Sequence, residues 1–198
     1  DALLLAHAGF VDSRMWDEQF GFFARNYQVI RFDMRGFGRS DPAQGPVVRR
    51  NEIYALMKHL GIPKAGLVGC SMGGAMVLDF ALEHPDMAQA LVLVSTAPGG
   101  FEMQGEPPPG LFEMISALQQ NDVQRASDLQ IQLWVDGMYR EPAQVDPQVR
   151  QRAAEMNRIP VTNQTYLQVD TQLLQPLDPP AANRLQEVRV PTLVIAGA

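Results

Sequence analysis

Gly69-Cys70-Ser71-Met72-Gly73 fits the pattern G-x-S-x-G. A serine in that setting can attack a carbonyl carbon, provided its hydroxyl is exposed and a developing oxyanion is stabilised beside it. The flanking residues supply the setting. Ala65-Gly66-Leu67-Val68 reads as a buried strand, and Met72 to Leu82 as a helix that is apolar almost all round. A sharp strand-to-helix turn lifts the serine oxygen out of the sheet, and glycines tolerate the crowding beside it. The helix aims its N-terminus at the site, where its dipole favours an oxyanion. The alternative is a small-residue turn required only by packing. Cys70, the one cysteine, can form neither an internal disulfide nor a cysteine-pair zinc site, and reads as buried packing.

A serine nucleophile needs a histidine to take its proton and an acid to orient that histidine. The chain has three histidines. At 1.5 Å per residue, a helix running from Ser71 to His84 separates the two by about 20 Å. His59 lies on the polar side of a helix whose apolar stripe is Ile53, Leu56, Met57 and Leu60. His7 precedes the serine, in a loop after an apolar strand.

The elements that must position these residues alternate. Strands are expected at Ala2–Ala6, Tyr27–Phe32, Ala65–Val68, Ala90–Val94 and Thr192–Ala196. Strand–helix–strand alternation implies a parallel sheet. After Ala97 the pattern changes. Pro98-Gly99-Gly100 and Pro107-Pro108-Pro109-Gly110 lead into helical stripes at Leu111, Met114, Ile115 and Leu118 and at Ala126, Leu129, Leu133 and Trp134. A further helix is expected after Asp146-Pro147, with proline in its first turn. Residues 1–97 therefore read as a core, 98–187 as a helical insertion, and 188–198 as the return to the core. Such an insertion can cover the carboxyl ends of the strands, where open parallel sheets place ligands. Gly36-Phe37-Gly38 lacks the third glycine and the helix of a dinucleotide fingerprint, and reads as a tight loop.

Length and composition bound the rest. At 198 residues, 46% hydrophobic and 19% charged, the chain has material for one core. A net charge of -6 argues against a nucleic-acid groove or a polybasic membrane patch. No signal peptide and no apolar run of roughly 18 residues is visible, and a cytoplasmic location is the expectation. Continuous apolar runs at Ala2–Ala6 and Val188–Ala198 read as strands covered on both faces. Since domains usually end at exposed positions, the chain reads as an internal fragment lacking both ends. The alternative is a compact domain whose terminal strands lie at sheet edges.

Four motifs in order, His7-Ala8-Gly9-Phe10, Asp33 to Ser40, Gly69 to Gly74 and Pro191 to Gly197, resemble the α/β-hydrolase superfamily over nearly the whole chain. Within it, the chain resembles the esterase, enol-lactonase and carbon–carbon bond hydrolase group. His7 to Trp16, including Arg14-Met15-Trp16, is similar to the oxyanion loop of 3-oxoadipate enol-lactonases, with His7-Ala8 where the family usually has His-Gly. The resemblance implies an α/β fold with a mostly parallel sheet and a helical lid. It makes Ser71 the nucleophile and the Met72 N–H one oxyanion donor. A second donor would come from Gly9 or Phe10, and His7 would hold that loop rather than act as the base. Each donor is worth roughly 3–4 kcal/mol of barrier.

The family's acid follows the strand that reaches Ala198, and its histidine follows the next strand. Both are expected beyond Ala198, so Asp136, Asp146, Asp170 and Asp178 do not fill the acid's place, and residues 1–198 alone are expected to turn over inefficiently. The implied activity is hydrolysis of a carboxylic ester or lactone-like small molecule through an acyl-enzyme, without metal or cofactor. Carbon–carbon bond cleavage and perhydrolysis stay open. A binding or scaffolding member of the same fold that has lost catalysis is the alternative.

Overall fold

The structure, a computed structural model, describes residues 1–102, 104–170 and 175–197. Met103 and residues 171–174 of the insertion, and Ala198 at the end of the last apolar run, lie outside the described residues. Five parallel strands, β1 (Ala2–Ala6), β2 (Gln28–Arg31), β3 (Ala65–Cys70), β4 (Ala88–Val94) and β5 (Thr192–Ile195), form one sheet in the order β2-β1-β3-β4-β5.

Alternation along the strands divides the core. Ala2, Leu4 and Ala6 of β1 point with Ala65, Leu67, Leu91 and Leu93 toward helices α2 (Arg49–His59) and α3 (Met72–Glu83). Ile53 and Met57 of α2 and Met76, Val77 and Phe80 of α3 complete that layer. Leu5 and Val68 face the other way, against Trp16. A short helix, α1 (Asp17–Phe23), follows Trp16. His84 ends α3 and stacks on Tyr54, with ring centroids 4.7 Å apart.

Between β4 and β5 the regular elements are helical: α4 (Leu111–Gln119), α5 (Val123–Ile131) and α6 (Pro147–Thr162). A π-helical turn, Gln132–Asp136, continues α5, and another spans Tyr166–Asp170. Asp146 caps α6 by accepting from the Gln148 N–H at 2.8 Å, and Pro147 occupies the first turn, where a missing N–H costs nothing. Met114, Ala117, Leu118, Ala126, Leu129 and Val161 give these helices an apolar cluster of their own. No helix among the described residues is long and apolar enough to cross a membrane.

Among the described residues β5 pairs with β4, and Leu193, Val194 and Ile195 are 45–65% exposed. The apolar stripes of the helices need one correction. Leu60 and Trp134, at the ends of their stripes, are 44% and 48% exposed. Leu60 follows the last residue of α2, and Trp134 sits in the π-turn, where the 3.6-residue phase that would carry it inward is lost.

Candidate active site

Register places the site. Ala6 pairs with Gly69 and Cys70 with Val94, so β1, β3 and β4 deliver His7, Ser71 and Ser95 to the same edge of the sheet. The chain turns sharply at Ser71, which adopts φ 51° and ψ −117° between β3 and α3. A non-glycine residue there carries on the order of 1–3 kcal/mol of strain. Close backbone approach maintains it. A Cβ on Gly69 would overlap the Gly73 oxygen, and one on Gly73 would lie 2.5 Å from the oxygens of Ala6 and His7. The Ser71 N–H donates to Val94 O at 2.9 Å, and Thr96 Oγ1 donates to Ser71 O at 2.6 Å. Ser71 itself is exposed.

His7 is fully buried, and both ring nitrogens are engaged. Nε2 accepts from the Met34 N–H at 3.1 Å, so Nδ1 carries the proton and donates to Ala8 O at 2.9 Å. Burial holds its pKa below the ordinary 6.5, outweighing the hydrogen bond to Ala8. The Ala8 N–H donates to Met15 Sδ at 3.3 Å. By contrast, the N–H groups of Gly9, Phe10 and Met72 have no protein acceptor among the described residues. Gly9 lies directly against Met72: a Cβ there would sit 3.2 Å from Sδ.

The loop is braced from behind by Asp33, which accepts from the N–H groups of Ser13 at 2.8 Å and Arg39 at 2.9 Å. Burial pushes its carboxyl up, but these bonds leave it below the ordinary 3.8. Burial raises the Cys70 thiol, which disfavours the reactive thiolate.

Ser71, Met72, Gly9 and Phe10 open into one cavity of about 980 Å³, lined also by Met114, Trp134 and Met156. Large apolar walls with a few convergent polar groups suit a small organic molecule. Asp170 also reaches the wall. Arg49 Nη2 binds it at 2.8 Å, yet burial leaves its pKa raised. Of the helical stripes in the insertion, Leu111, Met114 and Trp134 line the cavity, and Leu111, Met114 and Leu133 also pack into the α4–α5 cluster. His84 stands at the opposite end of α3 from Ser71, and His59 is exposed on α2.

Sequence reasoning missed the supports that come from elsewhere in the chain: Thr96, the Met15 sulfur, and the buried pair Asn157 and Gln130. Asn157 left a signal. It is polar within the otherwise apolar buried stripe Ala153, Met156, Pro160 and Val161 of α6.

Comparison with known proteins gives this geometry its context. A 2-hydroxy-6-oxo-6-phenylhexa-2,4-dienoate hydrolase from Burkholderia cepacia is 37% identical over 108 residues, covering 50% of this chain and 37% of that protein. The 3-oxoadipate enol-lactonase 2 of Acinetobacter baylyi is 32% identical over 99 residues, covering 48% of this chain and 37% of the relative. These matches thus span well under half of either relative's own length. The crystal structure of the enol-lactonase from Burkholderia xenovorans LB400 superposes with a TM-score of 0.72 over 100% of this chain and 72% of that one, at 24% identity, which speaks for a shared fold. The profile of the alpha/beta hydrolase fold matches residues 1–198. With a parallel sheet, a strained serine between β3 and α3, and a helical segment inserted before β5, the chain belongs to the alpha/beta hydrolase fold family.

Proposed function

We propose that this protein is a serine hydrolase of a carboxylic ester or lactone-like small molecule, working through an acyl-enzyme at Ser71. The observation that carries the reading is the strained Ser71 facing the same cavity as the free N–H groups of Met72, Gly9 and Phe10. In this mechanism Ser71 Oγ attacks the substrate carbonyl and its proton passes to a base. The carbonyl oxygen becomes an oxyanion, held by the Met72 N–H at the start of α3 and by the N–H of Gly9 or Phe10. Collapse of this intermediate breaks the C–O bond, and the proton goes to the departing alkoxide. Water then releases the acid by the same route in reverse. In a lactone the alcohol stays tethered to the acyl group.

His7 supports the loop in this reading, since an imidazole with both nitrogens committed has no lone pair for Ser71. Helices α4–α6 serve as the lid. A small organic acid derivative agrees with the relatives, which are named for a dienoate and an oxoadipate lactone. The first of those names keeps carbon–carbon bond hydrolysis as a second reading. The test is fluorophosphonate labelling together with ester turnover of the protein expressed from its complete gene. Ser71→Ala should abolish labelling and lower kcat by about 10⁴-fold or more. Retained turnover in Ser71→Ala would overturn the assignment, and a wild-type protein that binds esters without labelling or turnover would favour a binding role.

A further inference from the structure

We propose that Asn157 is a positioning residue for the oxyanion hole, through which the helical lid sets the geometry of the Gly9–Phe10 donor. The inference rests on the reading of Gly9–Phe10 given above. Asn157 lies on α6, is fully buried, and sits 147 positions from Phe10 in the chain. Its Nδ2 donates to Phe10 O at 2.9 Å and to Gln130 Oε1 on α5 at 2.6 Å. Both amide hydrogens are thereby used. The Phe10 carbonyl can only accept, so the reversed amide would bring two acceptors together, and the network determines the orientation. Gln130 is held in turn by its Nε2, 3.7 Å from Met114 Sδ on α4. Each of the three lid helices thus contributes one link.

The segment Ala8–Val11 is a turn with Gly9 and Phe10 at its centre, closed by a long bond of 3.4 Å from the Val11 N–H to Ala8 O. That closure is weak, and Gly9 brings no side chain to stiffen it. The Ala8 end is held by His7 and Met15. At the Phe10 end the side-chain hydrogen bond comes from Asn157. Around it, Ala8 and Val11 pack against Ile131, Ala153 and Met156. Shape complementarity places the lid on the loop, and the amide fixes the peptide plane that follows Phe10. If the plane is free to rotate, the preceding N–H loses its aim at the oxyanion. Such a donor acts in the transition state and little in the ground state, so its loss lowers kcat and kcat/KM together.

The test uses the protein expressed from its complete gene, with a p-nitrophenyl ester and the corresponding thionoester as probes. Sulfur accepts hydrogen bonds poorly, so an intact oxyanion hole prefers the oxygen ester, and a loosened hole discriminates less. Asn157→Leu should lower kcat by about 10- to 100-fold, less than outright loss of a donor. KM should change little, and the preference for the oxygen ester should shrink. Gln130→Leu frees the Asn157 amide without removing it and should show the same pattern at smaller size. It decides the matter if Asn157→Leu does not fold. A folded variant with kcat within about twofold of wild type, or with a rate loss at unchanged oxygen-to-sulfur preference, overturns the proposal. Ser71→Ala is measured alongside. Turnover that survives it rejects the serine mechanism itself, whereas Ser71-dependent turnover indifferent to Asn157 and Gln130 rejects only the positioning role.

Discussion

Around Ser71 backbone lies on backbone, whereas in helices α4–α6 side chain lies on side chain. Gly69, Gly73, Ala6 and His7 approach so closely that a single added carbon meets a peptide oxygen. Helices α4–α6 instead interdigitate Met114, Leu118, Leu129 and Val161, and several large side chains of this segment, including Phe112, Trp134 and Met138, remain exposed. The first kind of contact has no slack, because peptide groups cannot change rotamer. The second tolerates exchange of volume. One molecule thereby combines an inflexible backbone turn at Ser71 with a helical layer whose packing tolerates exchange of volume. Where the two meet, at Phe10 and Asn157, a hydrogen bond sets the geometry.

Gly73→Ala probes the inflexible side and should have the largest effect. Its Cβ would meet two peptide oxygens at 2.5 Å, and loss of about 3 kcal/mol or more is expected, with loss of fluorophosphonate labelling. Denaturant melts measure it. A Gly73→Ala variant of native stability would mean that the backbone contact has the slack denied to it here.

The second prediction sharpens the comparison through pH. Folding lowers the His7 pKa below 6.5, so the unfolded chain binds more protons below that pH and stability rises with pH there. This contribution is fully present above pH 6.5 and declines on acidification, by at most about 1.4 kcal/mol per pH unit for one proton. The protonated ring would turn a donor toward the Met34 N–H. Melting temperatures between pH 8 and 5 should fall more steeply for wild type than for His7→Gln. Parallel curves would remove His7 as the acid-labile support.

The smallest stability effect is expected in the helical insertion. Trp134→Ala truncates a half-exposed cavity wall and should cost under about 1 kcal/mol, while shifting KM among acyl chain lengths by about 10-fold. A stability loss as large as that of Gly73→Ala would erase the distinction between the two regions.

Much of this organisation is legible locally. Ala2–Ala6 matches β1 residue for residue, and α6 follows Asp146 with Pro147 in its first turn, as expected. These features depend on contacts within one turn or on strand periodicity. Ser71 is legible for the same reason, since the glycines that shape its turn lie within two positions of it. That Trp134 would wall the cavity while Leu133 packs against α4 and α5 is not, because periodicity reports a face and not what covers it.

The sequence by itself determined the strands, the helices, the strained serine and the small loop opposite it, because glycine, proline and apolar spacing act through neighbouring residues. Only the tertiary structure decided which N–H groups stay free and which are taken. Parallel register pairs Ala6 with Gly69 and so brings the His7 loop beside the turn at Ser71, Met15 reaches back to Ala8, and Asn157 reaches Phe10 from α6. A hydrogen bond is satisfied by distance and angle in space, and a separation of 147 residues leaves no local pattern from which to read it.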